Sequence, residues 1–227
     1  MTSDNQIEIS FIRITEPFPE NVYGLYLSKL PKALRMQNQR FIRWQDRHAH
    51  LMGKMLLLRS SVRLGTGARV LHDLVYNTYG KPSVNYLNFN ISHAGEFVVC
   101  ACAKSNARLG IDIERKKPVP FSDFVNTMDD KQWEEINRDP ERALDVFYRY
   151  WTIKESVIKA IGQGLSFPLT DITIGKTSAM VNGATSVWHL AEFSFHPEYA
   201  MAIVTDVEDA AKHITLKEFR VGEGLED

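Results

Sequence analysis

Cysteine is scarce in this sequence: the 227 residues hold two, Cys100 and Cys102. They stand two apart in "FVVCACA", so a strand would turn both to one side. Nothing nearby completes a zinc ligand set, and buried, reduced thiols are expected. A reducing compartment suits them. Long apolar runs are also missing. No segment approaches the ~18 residues of a membrane span. The opening "MTSDNQIEISFIRI" has neither the basic start nor the apolar stretch of a secretory signal. A cytoplasmic protein without a membrane partner is expected. Net charge is lacking too, at a formal −1. The chain as a whole has no field to draw in nucleic acid, so any anion site must be local.

What is present suits a folded protein: 44% hydrophobic and 24% charged residues over a length that allows one large domain or two small ones. "IEISFIRI" alternates as a first strand, and "VYGLYL" reads as more of it or as its partner. From Leu30 to Gly65 the chain reads as helix. Phe41, Trp44, His48, Leu51, Met55, Leu58 and Val62 form its apolar stripe, and Gly65 its stop. "YGKPSV" is a turn into a strand, "LNFNISHAGEFVVCACA" a hairpin and "RLGIDIE" a further strand. "KKPVP" reads as a linker between halves. A short helix is expected near Asp130. A long one follows, with Asp139 as N-cap, Pro140 in its first turn and Gly162 as its stop. "DITI", "SAMV", "SVWHLAEFSF", "YAMAIVTD" and "ITLKEFRV" read as hairpins, with "NG" a tight turn and "GEGLED" a frayed tail. The element order repeats, although the sequence does not. An α+β protein of two similar subdomains, residues 1–108 and 109–227, is expected.

"LGIDIERK" poses the chemical question. Leu109, Ile111 and Ile113 share one face of a strand, which leaves Asp112 and Glu114 together on the other. Like charges side by side need a reason. On the second long helix the stripe Leu144, Phe147, Trp151, Ile158, Ile161 is interrupted by Lys154, with Glu155 beside it and Lys159 four residues on. An exposed Glu155–Lys159 pair worth a few tenths of a kcal/mol is the plain reading. The sharper one lets Asp112, Glu114 and Glu155 converge on one hard cation such as Mg²⁺. Ser92 and His93 in "FNISHAG" fit a turn or a donor pair for phosphate. A nucleophile–base pair fits poorly, since adjacent strand side chains point apart. Lys81 in "YGKP" is either solvated or a point charge for phosphate. Arg40, Arg43 and Arg47 form a basic stripe, either a solvated face or a contact for an acidic partner or a phosphate. His48, inside the apolar stripe, reads as a hydrogen-bonded core residue.

"GKP", "FNISHAG", "GIDIE" and "WTIKESVIKAIGQGL", in this order between about Gln39 and Leu169, resemble the surfactin-type 4′-phosphopantetheinyl transferase family. The resemblance implies a pseudo-dimer of two α+β subdomains in one chain, with the active site in the cleft between them. It implies Mg²⁺-dependent transfer of the phosphopantetheine arm of coenzyme A to a serine of an acyl or peptidyl carrier protein, releasing adenosine 3′,5′-bisphosphate. Residue by residue, it implies metal ligation by Asp112, Glu114 and Glu155. His93 and Lys159 would contact the diphosphate, and Lys81, Ser92, Lys154, Arg47 and His50 would belong to the coenzyme site. Glu155, Lys159 and His93 would be the catalytic groups. His48 also falls where the first helix approaches the nucleotide. Lys32, Arg35 and Arg40 are the local candidates for holding the 3′-phosphate. Where some members open a helix with Glu, this chain has Gln132, with Glu134 and Glu135 nearby. A monomer is expected, because one chain would carry both halves of the site. Two rivals use the same residues. One is a Mg²⁺-dependent pyrophosphate hydrolase of coenzyme A-like nucleotides, and the other a non-catalytic carrier-binding module.

Overall fold

The computed structural model describes residues 6–104, 107–164, 167–208 and 213–222. In chain order the elements are β1 (Ile7–Arg13), α1 (Glu20–Ser28), α2 (Lys32–Gln39), α3 (Trp44–Arg63), β2 (Val75–Tyr76), β3 (Pro82–Ser83), β4 (Asn88–Ala94), β5 (Phe97–Ala103) and β6 (Leu109–Arg115). Then come α4 (Asp130–Arg138), α5 (Ala143–Ile161), β7 (Ile172–Ile174), β8 (Ser178–Val181), β9 (Val187–Glu192), β10 (Tyr199–Thr205) and β11 (Ile214–Glu218). They form an α+β chain of two compact units, residues 1–106 with 214–227, and residues 107–213. Among the described residues no helix is long and apolar enough to cross a membrane. The tail from residue 223, expected to fray, lies outside the described residues.

In the first unit the sheet order is β11-β1-β5-β4. Gly95, at φ 54°, makes the expected turn between β4 and β5. α3 lies on this sheet. Its Leu51, Met52 and Leu56 are fully buried against Val98, Cys100 and Cys102, each side chain contributing about 1.5–3 kcal/mol of apolar burial. The two cysteines are free and buried, as expected. Gly53 permits the close approach, since a Cβ there would sit 2.9 Å from Ile91 Cγ2.

Four expectations change in this unit. "VYGLYL" is helical, in α1, where burial of Tyr26 against Phe18 and Phe219 outweighs strand propensity. The expected single helix from Leu30 is broken at residues 40–43. Buried Asn38 donates from Nδ2 to Arg47 O (2.7 Å) and faces His50 Nδ1 (3.1 Å). A continuous helix would hold Asn38 and His50 about 18 Å apart, so the chain must fold back. Val62, read as part of the stripe, is 52% exposed. The fourth change concerns β11, which the division at residue 108 puts in the second half. It pairs in parallel with β1. Buried Glu8 fixes it there, accepting from Ser60 Oγ (2.9 Å) and lying near Arg63 and Lys217 of β11. Hairpin signals report only neighbours in sequence and could not show this pairing.

In the second unit the sheet order is β6-β10-β9-β8-β7, antiparallel throughout. α5 lies on β6 and β10, with Ser156 Oγ donating to Ala202 O (2.9 Å). Ile153 and Val157 are wholly buried, so its core face is rotated from the expected stripe. Gly162 closes α5 in the left-handed conformation, as expected. α5 begins at Ala143 and not at Asp139, because the Asp139 carboxylate takes the Glu141 N–H in a local turn. "KKPVP" follows β6 inside this unit and links no halves.

Candidate functional site

The acidic residues are assembled by one close contact. Gly110 faces α5 so tightly that a Cβ there would lie 2.0 Å from Ser156 O and 2.6 Å from Ala160 N. Residues two apart share a strand face, so Asp112 and Glu114 face α5 as well. The helix answers with Trp151, Glu155 and Lys159, four residues apart and on one side. Lys159 Nζ stands 2.5 Å from Asp112 Oδ1. Trp151 Nε1 donates to Glu114 Oε1 at 3.3 Å. Glu155 Oε1 is buried and has no hydrogen-bond partner among the described residues.

The two glutamates are perturbed by burial and by their neighbours. Burial, then Asp112, push the Glu114 carboxyl up, with Trp151 and Lys159 opposing. Burial, then Asp112, raise Glu155 to about 7; Lys159 opposes and Glu114 adds. Glu155 thus senses both other acids, and Glu114 senses Asp112. Among the described residues no three His, Cys, Asp or Glu side chains stand close enough to form a ready-made metal site. The chemistry of the set still fits a divalent cation. It offers only hard carboxylate oxygens, one of them buried without a donor, and mutual repulsion that a cation relieves.

Lys154 is elsewhere. It is fully buried, and its Nζ donates to Thr127 O (2.7 Å) and Leu169 O (2.9 Å). Burial lowers its pKa to about 8. The gap in the apolar stripe is filled by a cation held by two carbonyls. Gln132 is also spent, since it closes a capping box with Asp129 at the start of α4. Glu135 accepts the Tyr150 hydroxyl.

In the first unit, Arg47, His50 and Lys54 line α3 at i, i+3 and i+7. An amide nitrogen can only donate, so Asn38 Nδ2 makes His50 Nδ1 the acceptor and leaves the proton on Nε2. That Nε2 and Arg47 Nε are buried without a hydrogen-bond partner among the described residues. Burial, then the charges of Lys54 and His93, lower His50 to about 4, so the ring is a neutral donor. Lys54 is 9% exposed and its pKa is lowered by burial. It was not singled out from the sequence, where a lone Lys within "LMGKMLLL" is the available signal. His93 is exposed on β4 and Ser92 is buried, on opposite faces of the strand. Lys81 is half-buried beside Asn77, whose Oδ1 accepts the Lys81 N–H. His48 is a core residue: its Nε2 accepts from Phe18 N–H and its Nδ1 bonds Trp44 O. Unpartnered donors and cations on this unit suit phosphate oxygens.

The family model described as the 4′-phosphopantetheinyl transferase superfamily matches residues 108–204, from β6 to β10. The chain is 28% identical over 221 residues to 4′-phosphopantetheinyl transferase Sfp of Bacillus subtilis (strain 168), covering 92% of this chain and 97% of that one. It is 30% identical over 172 residues to 4′-phosphopantetheinyl transferase gsp of Aneurinibacillus migulanus, covering 75% of this chain and 72% of that one. It is 35% identical over 150 residues to L-aminoadipate-semialdehyde dehydrogenase-phosphopantetheinyl transferase of Xenopus laevis, covering 56% of this chain and 49% of that one. The acidic strand and the helix that faces it lie inside the matched segment, and on this similarity the chain belongs to the 4′-phosphopantetheinyl transferase superfamily.

Proposed function

We propose that the protein transfers the 4′-phosphopantetheine arm of coenzyme A to a serine hydroxyl of an acyl or peptidyl carrier protein, with adenosine 3′,5′-bisphosphate as leaving group. The observation that carries the reading is the contact between the acidic strand β6 and the row Trp151, Glu155, Lys159 of α5, in which Lys159 bonds Asp112 and Trp151 bonds Glu114. Asp112, Glu114 and Glu155 would hold Mg²⁺. Bound there, the ion would supply positive charge where a diphosphate is attacked. In the transfer the serine oxygen bonds to phosphorus while the bond to the leaving phosphate breaks. Lys159 offsets charge on the transferring oxygens. Glu155 would accept the serine proton, its carboxylate lying beside Lys159 in the helix row that faces Asp112 and Glu114. His93, Lys81, Ser92, Arg47 and His50 are assigned to the coenzyme, His93 on its diphosphate. The unpartnered His50 Nε2 and Arg47 Nε support this assignment. Lys54 joins them as a further cation. A monomer in the cytoplasm is part of the reading, and the buried free thiols Cys100 and Cys102 suit that compartment.

The test incubates the protein with coenzyme A, Mg²⁺ and a panel of apo-carriers, then weighs the carriers. A gain of one phosphopantetheine group that requires Mg²⁺ supports the reading. Cleavage of coenzyme A without any carrier would instead mark a pyrophosphate hydrolase. Carrier binding without turnover would mark a binding module.

A further inference from the structure

Trp151 packs as a core residue is expected to, yet a phenylalanine would pack there too. The ring is half-buried, stacked on Phe147 at 6.3 Å between centroids and set edge-on to Phe124 at 5.3 Å. What tryptophan adds is one N–H, and that N–H points at Glu114 Oε1. Trp151, Glu155 and Lys159 recur every four residues along α5, so the same helix row carries both side chains that bond the acids of β6. Lys159 bonds Asp112 and Trp151 bonds Glu114. Glu155 lies between them in the row.

A carboxylate repelled by its neighbours will swing away unless something holds it. Asp112 pushes on Glu114, which sits near the end of β6. An indole clamped by two aromatic rings is a stiff donor with little freedom to lose. From this geometry we infer that Trp151 is a positioning residue: its indole N–H fixes the Glu114 carboxylate in the orientation needed to ligate a divalent cation.

The inference rests on the proposed cation role of Asp112, Glu114 and Glu155, and the test separates the two. Mn²⁺ is the probe, with bound and free ion counted by electron paramagnetic resonance for the wild-type chain, Trp151→Phe and Glu114→Gln. Wild type should bind Mn²⁺. Trp151→Phe, which keeps an aromatic ring and loses the donor, should bind at least about tenfold more weakly, as when a group that orients a metal ligand is removed. The Mg²⁺ concentration for half-maximal turnover should rise by a similar factor, while kcat at saturating Mg²⁺ falls much less.

If Glu114→Gln weakens Mn²⁺ binding and a folded Trp151→Phe does not, the positioning role is wrong and the cation reading stands. If wild type binds no Mn²⁺, both fail. Should Trp151→Phe not fold, nuclear magnetic resonance of the indole N–H protons decides. Trp44, Trp133, Trp151 and Trp188 give four such signals. The Trp151 signal, assigned by a specific isotope label, should shift in Glu114→Gln and again when Mg²⁺ is added to wild type. A signal indifferent to both overturns the inference.

Discussion

Lys159 reaches from α5 to β6 and sets its Nζ 2.5 Å from Asp112 Oδ1. Asp112 is 3% exposed, and the Lys159 side chain is 28% exposed. Removing the cation from a buried carboxylate is costly, and solvent at Lys159 reduces the cost. Lys159→Met should therefore lose about 1–3 kcal/mol, read from urea unfolding. Added Mg²⁺ should narrow the gap to wild type if the acids hold that ion. Equal stability of the two proteins would show that the pair contributes nothing.

Gly110 is where the helix meets the strand, and it has no room to grow. Gly110→Ala should destabilise the chain by about 3 kcal/mol or more, because backbone atoms of α5 must move. The same shift carries Glu155 and Lys159 away from Asp112, so turnover should fall with stability. Gly24, in α1, is the control. Nothing lies within 4 Å of an added Cβ there, and Gly24→Ala should stabilise by about 0.5–1 kcal/mol. Differential scanning calorimetry compares the two.

His50 gives a pH signature. Its pKa falls to about 4 on folding, from an ordinary 6.5. Between these values the unfolded chain binds more protons than the folded one, so stability rises with pH. The His50 contribution is complete above about 6.5, shrinks as pH falls towards 4, and is constant below. The drop would approach 3 kcal/mol at full burial and should be about 1–2 for a ring that solvent partly reaches. Denaturant midpoints at pH 7 and pH 4.5 should converge less in wild type than in His50→Gln. Identical pH dependence would remove this account of the ring.

Arg40 and Arg43 are exposed in the break between α2 and α3, whereas Arg47 lies on α3 and turns its Nε inward, so the three do not form the expected helical stripe. If an acidic carrier docks on these two, Arg40→Glu with Arg43→Glu should raise the KM for carrier on the order of tenfold. The KM for coenzyme A should stay unchanged. Steady-state kinetics with each substrate varied in turn distinguishes the two. A carrier KM equal to wild type would place docking elsewhere.

Strands with period-two alternation, and helices ended by Gly65 or Gly162, could be read directly, because those signals are local. The like-charged pair on "GIDIE" and the four-residue spacing of Glu155 and Lys159 on α5 were legible for the same reason. What escaped depends on distant partners. β11 leaves its neighbours for β1, α2 and α3 separate around Asn38, and α1 forms where strand propensity is high. Lys154 shows the limit most clearly. Its place in an apolar stripe was legible, but the Thr127 and Leu169 carbonyls that hold it belong to remote turns. Trp151 read as core, and its N–H partner could be seen only once β6 and α5 were side by side.

The most direct test of the acidic site compares wild type with Glu155→Gln under the same coenzyme A, Mg²⁺ and apo-carrier conditions. The amide keeps the shape of the side chain and removes both its charge and its ability to accept a proton. Wild type should add one phosphopantetheine group to the carrier, and a folded Glu155→Gln should add none. Transfer by Glu155→Gln at the wild-type rate would contradict the account.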